Sequence, residues 1–129
     1  MMEIALRAAL IDWLEMDPAL AALNAVVEEA PLRSELPWLA IAASASADWS
    51  TKDAAGREVR IALELHCRGD APGTAAGLVR AIEDRIAALP PDQDGFAVVT
   101  SQFLRSRAEQ RAANTRAILL EYRFRILSG

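Results

Sequence analysis

The sequence predicts an α+β fold in which a mainly antiparallel sheet of about four strands, with a long C-terminal hairpin, packs against two main helices. Three observations carry this prediction. Residues 57–68 alternate apolar and polar side chains with a period of two, and residues 118–126 repeat that alternation near the C-terminus. Residues 3–16 and 74–89 instead carry apolar side chains at spacings of three and four, which is typical of helices that cover one face of a sheet.

The N-terminal third is predicted to begin with an amphipathic helix over residues 3–16, because its leucines recur every four residues. Asp17 and Pro18 then combine an N-cap acid with a proline at the first helical position, which favours a new helix start. The elements expected next are a short helix at 18–23, a brief strand at 26–29 ended by Pro31, and a strand at 38–45 after Pro37.

The middle of the chain carries the clearest strand and helix patterns. Residues 46–56 are rich in Asp, Ser, Thr and Gly and are predicted to form a loop. The apolar face of the strand at 57–68 is expected to pack on the apolar stripe of the helix at 74–89, for which Thr74 is the predicted N-cap. That stripe consists of Leu78, Val79, Ile82, Ile86 and Leu89, and Pro90-Pro91 ends the helix.

The last third is predicted to be a hairpin with arms at 96–107 and 118–126 and a mobile, polar tip at about 108–114. The element order is therefore α-α-β-β-α-β-β. With 129 residues and no linker-like segment, we expect one domain spanning residues 1–129.

Composition limits what this domain can be. Hydrophobic residues make up 53% of the chain, but 27 of them are Ala and only 30 are Val, Ile or Leu, so the core is expected to be thin. No apolar stretch approaches the roughly 20 residues of a membrane span, and Glu3 and Asp12 interrupt the N-terminal segment, which is unlike a signal peptide. The one cysteine, Cys67, excludes an intrachain disulfide and fits a reducing compartment.

Residues that carry catalytic chemistry are nearly absent, so we expect no enzyme, no cofactor and no metal site. His66 and Cys67 are adjacent on one strand and therefore point to opposite faces, with Cys67 expected in the core. No glycine spacing matches a phosphate-binding loop. A divalent cation could bind oxygens of Asp48, Asp53, Asp92 and Asp94, but nothing in the sequence fixes their spacing.

Charge is distributed unevenly along the chain. Residues 1–56 hold nine acids and three bases, a net −6, whereas the segment Phe103–Arg125 holds six arginines and two glutamates, a net +4. The hairpin arginines could form a solvated face, contact phosphates, or meet an acidic protein surface, and the last is favoured because Arg is enriched at interfaces. The candidate interface residues are Trp49, Arg105, Arg107 and Arg111, while Trp38 is expected to pack in the core.

The chain resembles the small tail-completion or tail-terminator proteins of long-tailed phages, prophages and gene transfer agents. The resemblance covers nearly the whole chain. It is carried by DPALAAL at 17–23, LPWLAIA at 36–42, REVRIALELHCRG at 57–69, AAGLVRAIEDRIAAL at 75–89 and LLEYRFRIL at 119–127.

The resemblance implies a structural role. Such proteins form a ring, commonly a hexamer, at the head-proximal end of the tail tube, where the ring stops tube growth and joins the tail to the head connector. The implied partners are other copies of the chain, the tail tube protein and the connector protein, with no membrane and no specific nucleic acid, although DNA passes through the ring. The implied location is the bacterial cytoplasm during assembly and then the tail of the particle. The alternatives are a small bacterial ligand- or peptide-binding module and, less favoured, an enzyme with a non-standard site.

Overall fold

The computed structural model describes residues 2–29, 34–70 and 72–129, and within these ranges the chain forms one six-stranded sheet, two α-helices and one short 3-10 helix. The elements are α1 (Met2–Glu15), β1 (Ala25–Val27), β2 (Trp38–Asp48), β3 (Gly56–Arg68), α2 (Pro72–Ala87), β4 (Asp92–Gln93), β5 (Phe96–Arg111) and β6 (Thr115–Ser128). The strand order is β1-β2-β3-β6-β5-β4. Every neighbouring pair is antiparallel except β1 and β2, which are parallel. The predicted α+β class is confirmed, with six strands where about four were expected.

Several predicted boundaries shift in the N-terminal half. The helix predicted at 18–23 is only a three-residue 3-10 helix, Pro18–Leu20, and Asp17 caps it by accepting a hydrogen bond from Ala19 N at 3.0 Å. The strand predicted at 26–29 forms as β1, and Pro31 lies outside the described residues. β2 extends to Asp48, beyond the predicted end at residue 45, because residues 46–48 remain paired with β3.

The helix start and the hairpin also differ from expectation. α2 begins at Pro72, so Thr74 lies inside the first turn and its prediction as N-cap is wrong. Proline suits that first turn because its fixed φ is already helical and its missing N–H has no partner there. The segment between α2 and the hairpin contains the two-residue β4, which pairs with the start of β5.

The hairpin tip is shorter than predicted. Pairing of β5 with β6 continues to Arg111 opposite Thr115, so only residues 112–114 turn the chain. Ala113 and Asn114 adopt φ values of 58° and 54°, in the left-handed region that lets a short connection reverse direction.

The core lies between the helices and one face of the sheet, as the alternation of β3 predicts. The β3 residues of the apolar face are all buried: Val59, Ile61, Leu63, Leu65 and Cys67. In the α2 stripe, Leu78, Ile82, Ile86 and Leu89 are buried, and Val79 is partly buried against the same cluster. No helix in the described ranges is both long and apolar enough to cross a membrane.

Gly56 is required where the loop at 49–55 returns to β3. A Cβ at this position would lie 2.4 Å from the carbonyl oxygen of Trp49 and 2.7 Å from a side-chain methyl of Leu127. The Gly56 N–H donates to the hydroxyl of Ser50 at 3.0 Å, and Trp49 N–H donates to the Gly56 carbonyl at 3.0 Å. The close approach and these bonds therefore fix the position of Trp49 at one end of the sheet.

We predict that Ile82→Ala lowers the free energy of unfolding by about 2–5 kcal/mol, because Ile82 is fully buried between α2 and the sheet and its loss leaves a cavity. Chemical denaturation followed by circular dichroism measures this. Ile4→Ala is the matched control, since Ile4 is 62% exposed on α1 and should cost about 0.5 kcal/mol or less. Equal costs for the two variants would contradict the assigned core.

We also predict that the Cys67 thiol reacts slowly with a disulfide reagent in the folded protein. Cys67 is only 3% exposed, and burial raises its pKa, so both access and thiolate formation are disfavoured. The reaction with Ellman's reagent should be many-fold slower in buffer than in guanidinium chloride. Comparable rates in the two solutions would show that Cys67 is not in the core.

Candidate subunit interface

β5 is an outer strand of the sheet with a long unpaired edge. One of its edges pairs with β6 over the whole hairpin, from Phe96 opposite Ser128 to Arg111 opposite Thr115. Its other edge pairs only with β4, at residues 96 and 97. Among the described residues, no strand pairs with the outer edge from Val99 to Arg111. This stretch therefore presents backbone donors and acceptors that another chain could use.

Apolar side chains on β5 are also exposed. Val99 is 50% exposed and Phe103 is 43% exposed, although both are large hydrophobic residues in a strand. Phe103 contacts Tyr122 edge-on, with ring centroids 5.5 Å apart, and borders a groove of about 290 Å³ between β5 and α2. The carboxylates of Glu83 and Asp84 lie on the α2 side of that groove. Exposed apolar and unpaired polar groups together are typical of a strand that forms an interface.

The predicted arginines lie on this strand, on the sheet face opposite the helices, which we call the back face. Arg105 and Arg107 follow the alternation of β5, and Arg111 is the last residue of the strand instead of part of a mobile tip. Each has a carboxylate partner in its own chain. Arg105 pairs with Glu121 at 2.9 Å, Arg107 with Glu109 at 2.6 Å, and Arg111 with Glu109 at 3.0 Å.

These ion pairs reduce the free positive charge that the sequence count suggested. Arg105 donates a hydrogen bond to Glu121, which lowers the pKa of that carboxyl and raises the pKa of the guanidinium. Arg111 is shared with a second carboxylate, that of Glu64, at 3.6 Å. The side chains nevertheless remain solvent-accessible, so they are available at the margin of an interface. Their expected partner, an acidic surface on a neighbour, remains a prediction.

A second charged cluster lies on the back face near the far end of β6. Glu58 accepts from Arg125 at 3.3 Å and lies 3.5 Å from Arg123, and Arg123 also contacts the amide oxygen of Gln102. The Arg125 guanidinium lies 5.5 Å from the centre of the Trp49 ring. Trp49 is therefore partly buried against its own chain.

The four candidate interface residues do not form one patch. Trp49 follows the end of β2, near Arg57 and its partner Ile126, whereas Arg111 lies opposite Thr115 at the other end of β6. Eleven residues of β6 separate those two ends, which corresponds to about 35 Å of strand. Trp49 and the β5 arginines are thus separate candidates.

Trp38 is not a core residue, contrary to expectation. It begins β2 on the back face and stacks on His66, with ring centroids 4.0 Å apart and ring planes 12° apart. Its half-burial comes from this stacking and not from the helix-covered core. The sequence around Pro37 does not indicate which face of the sheet Trp38 occupies. That face is set by the register in which β2 pairs with β3.

His66 and Cys67 lie on opposite faces of β3, as expected for neighbouring residues of a strand. Cys67 lies in the core, while His66 lies on the back face and contacts Glu64. The two side chains are on opposite faces and do not form a Cys–His pair. Within residues 2–29, 34–70 and 72–129, no group of three His, Cys, Asp or Glu side chains is arranged to hold a metal ion, including the four aspartates considered above.

Sequence reasoning missed the outer-edge position of β5 and the carboxylates that accompany its arginines. A signal for the second feature is present: Arg105, Arg107, Glu109 and Arg111 recur every second residue, which places them on one face of a strand. No local signal reveals an outer edge, because it depends on which strands pair across the sheet.

Comparison with known proteins relates the chain to structural components of phage-like particles. Residues 8–127 match the family model described as "Tail completion protein gp17". No curated protein sequence matches the chain. Among solved structures, a chain from the "Virion of native gene transfer agent (GTA) particle" superposes with a TM-score of 0.77 at 25% sequence identity, and the match covers 96% of each chain. This chain therefore belongs to the gp17 tail completion family of structural phage tail proteins, which confirms the resemblance noted in its sequence.

We predict that Arg105→Gln raises the pKa of Glu121 toward the ordinary value of 4.5, because the hydrogen bond from Arg105 is the main cause of its lowered pKa. A carboxyl whose pKa is lowered by folding stabilises the protein at pH values above its ordinary pKa. That stabilisation is lost as the pH falls through the pKa of the folded state. NMR titration of the carboxyl carbon measures the shift. Arg80→Gln, on the exposed side of α2, is the control. An unchanged Glu121 pKa in Arg105→Gln would disprove the pairing.

Proposed function

We propose that this tail completion protein assembles with copies of itself into a closed ring, a hexamer by family resemblance, at the head-proximal end of a tail tube. There the ring stops growth of the tube and joins the tail to the head connector. The observation that carries this proposal is the match over 96% of both chains to a component of a gene transfer agent virion. The partners are accordingly other copies of the chain, the tube protein and the connector protein, and the protein is made and assembled in the host cytoplasm.

The surface features support an assembly role. The outer edge of β5 combines unpaired backbone with the exposed side chains of Val99 and Phe103. A closed ring requires a heterologous contact, in which one patch of a subunit meets a different patch of the next. The opposite net charges of residues 1–56 and of the hairpin would help orient such a contact.

Deletion of the gene, with complementation by the wild-type chain, tests the proposed function. Without the protein, negative-stain images should show heads separated from tails, and tails longer than in the parent. Complementation should restore joined particles of normal tail length. Joined particles with normal tails in the deletion strain would contradict the proposal.

The charged contact can be tested separately with Arg105 and Arg107 changed together to Gln. We predict several-fold lower incorporation into particles with the fold intact, because rim charges act mainly on orientation and association rate. Gln is preferred to Glu because a new carboxylate at 105 or 107 would repel the partners Glu121 and Glu109.

Lys52 and Arg80, changed together to Gln, form the matched control, since both are exposed and lie outside the hairpin. Quantitative mass spectrometry of purified particles gives the amount incorporated, and circular dichroism checks the fold. Equal incorporation of the two double variants would show that the β5 arginines do not face an acidic neighbour.

A further inference from the structure

The sheet has a second unpaired edge, on β2, at the side opposite β5. β1 pairs with β2 only at Trp38, Leu39 and Ala40. From Ile41 to Asp48, no described strand pairs with the outer edge of β2. The sheet therefore has two open sides, and each is partly covered by a short strand.

The open part of β2 lacks the usual protection against pairing with another chain. Residues 41–47 read IAASASA, with no charged residue and no proline. Sheet edges that face water normally carry such residues, because an unprotected edge adds strands from other molecules. The β-bulge between Ile41 and Ala43 is the one irregularity in this stretch of pairing.

The two open edges lie at the same height in the sheet. Strand pairing across β3 and β6 places Ile41 of β2 in the same row of the sheet as Ser106 of β5. Asp48 of β2 lies in the same row as Val98 of β5. The open segment of β2 thus faces outward over the same rows as residues 98–106 of β5. β1 covers the rows of residues 107–109, and β4 covers residues 96 and 97. The Val98 N–H donates to the Pro91 carbonyl at 2.7 Å, so the rows from Val99 to Ser106 are the ones with no described strand on either side.

The strand directions match as well. β2, β3, β6 and β5 alternate in direction, because each neighbouring pair is antiparallel. Consider a second copy related by rotation about an axis roughly parallel to the strands. Its β5 would approach the first copy's β2 in the opposite direction, which continues the antiparallel alternation. This is the hydrogen-bonding pattern that a continuous antiparallel sheet requires.

Side chains along the shared rows are complementary in size and charge. On the back face, the rows end in Ala43, Ala45 and Ala47 on β2, and in Arg105, Gln102 and Thr100 on β5. Small residues on one edge leave room for the longer side chains of the other. Glu29, which follows β1 closely, would lie beside the part of β5 that carries Arg105 and Arg107, whereas Glu28 already pairs with Arg7 of α1 at 3.3 Å.

We propose that the outer edge of β2 in one copy pairs antiparallel with the outer edge of β5 in the next, so that the sheet continues from subunit to subunit. This inference rests on the proposed ring and identifies the contact between its neighbouring subunits. The occupant of each edge is a second copy of this chain. The pairing would also cover Phe103, which lies in the same row as Ser44 on the helix-covered face.

Paired cysteines test the contact inside assembled particles. Gln102→Cys is combined in turn with Ala43→Cys, Ala45→Cys or Ala47→Cys, which samples register shifts of two residues in either direction on one face. All four positions are exposed in the single chain. Within one chain, β2 and β5 are separated by three strand spacings, about 14 Å, which is too far for a disulfide. Any disulfide between the two positions therefore joins two copies.

Particles carrying each pair are oxidised, treated in parallel with a short bis-maleimide, and run on denaturing gels without reductant. At least one pair should give a ladder of covalent multimers up to the closed ring, and reductant should remove the disulfide-linked ladder. Ala76→Cys with Ala88→Cys, both exposed on or beside α2, is the control for chance cross-linking and should give monomer.

The outcomes separate the inference from the proposed function. If the protein is present in particles but no edge pair gives more multimer than the control, the β2–β5 pairing is wrong and the tail role stands. If the wild-type chain is absent from purified particles, the proposed function fails, and the inferred contact fails with it. A ladder specific to an edge pair supports both.

Discussion

β6 is paired along both of its edges, with β3 on one side and β5 on the other, and this double pairing determines much of the rest of the structure. It places the C-terminal strand in the middle of the sheet, where Leu120, Phe124 and Ile126 are fully buried. Because β6 occupies that place, its hairpin partner β5 becomes an outer strand. Among the described residues, only the two-residue β4 covers one end of β5. The open edge on which the assembly model depends is thus a consequence of where β6 lies.

The two faces of the sheet carry different kinds of side chain. The helix-covered face supplies the core, in which nearly every buried side chain is a large aliphatic or aromatic one although the composition is rich in alanine. The back face carries paired charges, including Glu58 with Arg125 and Glu121 with Arg105. Exposed ion pairs contribute little to stability individually, so this face is better suited to orienting a neighbour than to holding the fold. The main interaction energy between copies would have to come from backbone pairing and from apolar groups such as Phe103.

The sequence predicted the features that depend on local periodicity. Alternation in residues 57–68 correctly identified β3 and the burial of Leu63 and Cys67, and helical spacing identified Ile82 and Ile86 as core. Features that depend on pairing partners were not predictable in the same way. β1 and β4 are too short to show a period, and the face of Trp38 depends on the register of β2 with β3. Arg105 and Arg107 lie in the predicted first arm of the hairpin, but Arg111 lies in a strand instead of the predicted tip. Glu109 is two residues from Arg107 on β5 and follows from the alternation, whereas Glu121 comes within reach of Arg105 only through the register of β5 with β6.

The central claim is that this member of the tail completion family builds a ring by joining its two open sheet edges. Cryo-electron microscopy of intact particles, with a reconstruction of the junction between head and tail, tests that claim most directly. The account predicts a closed ring of this chain at the head-proximal end of the tube, with β2 of each copy antiparallel to β5 of the next. A junction built from a different protein, or a ring whose copies meet through α1 and α2 while both sheet edges face solvent, would contradict it.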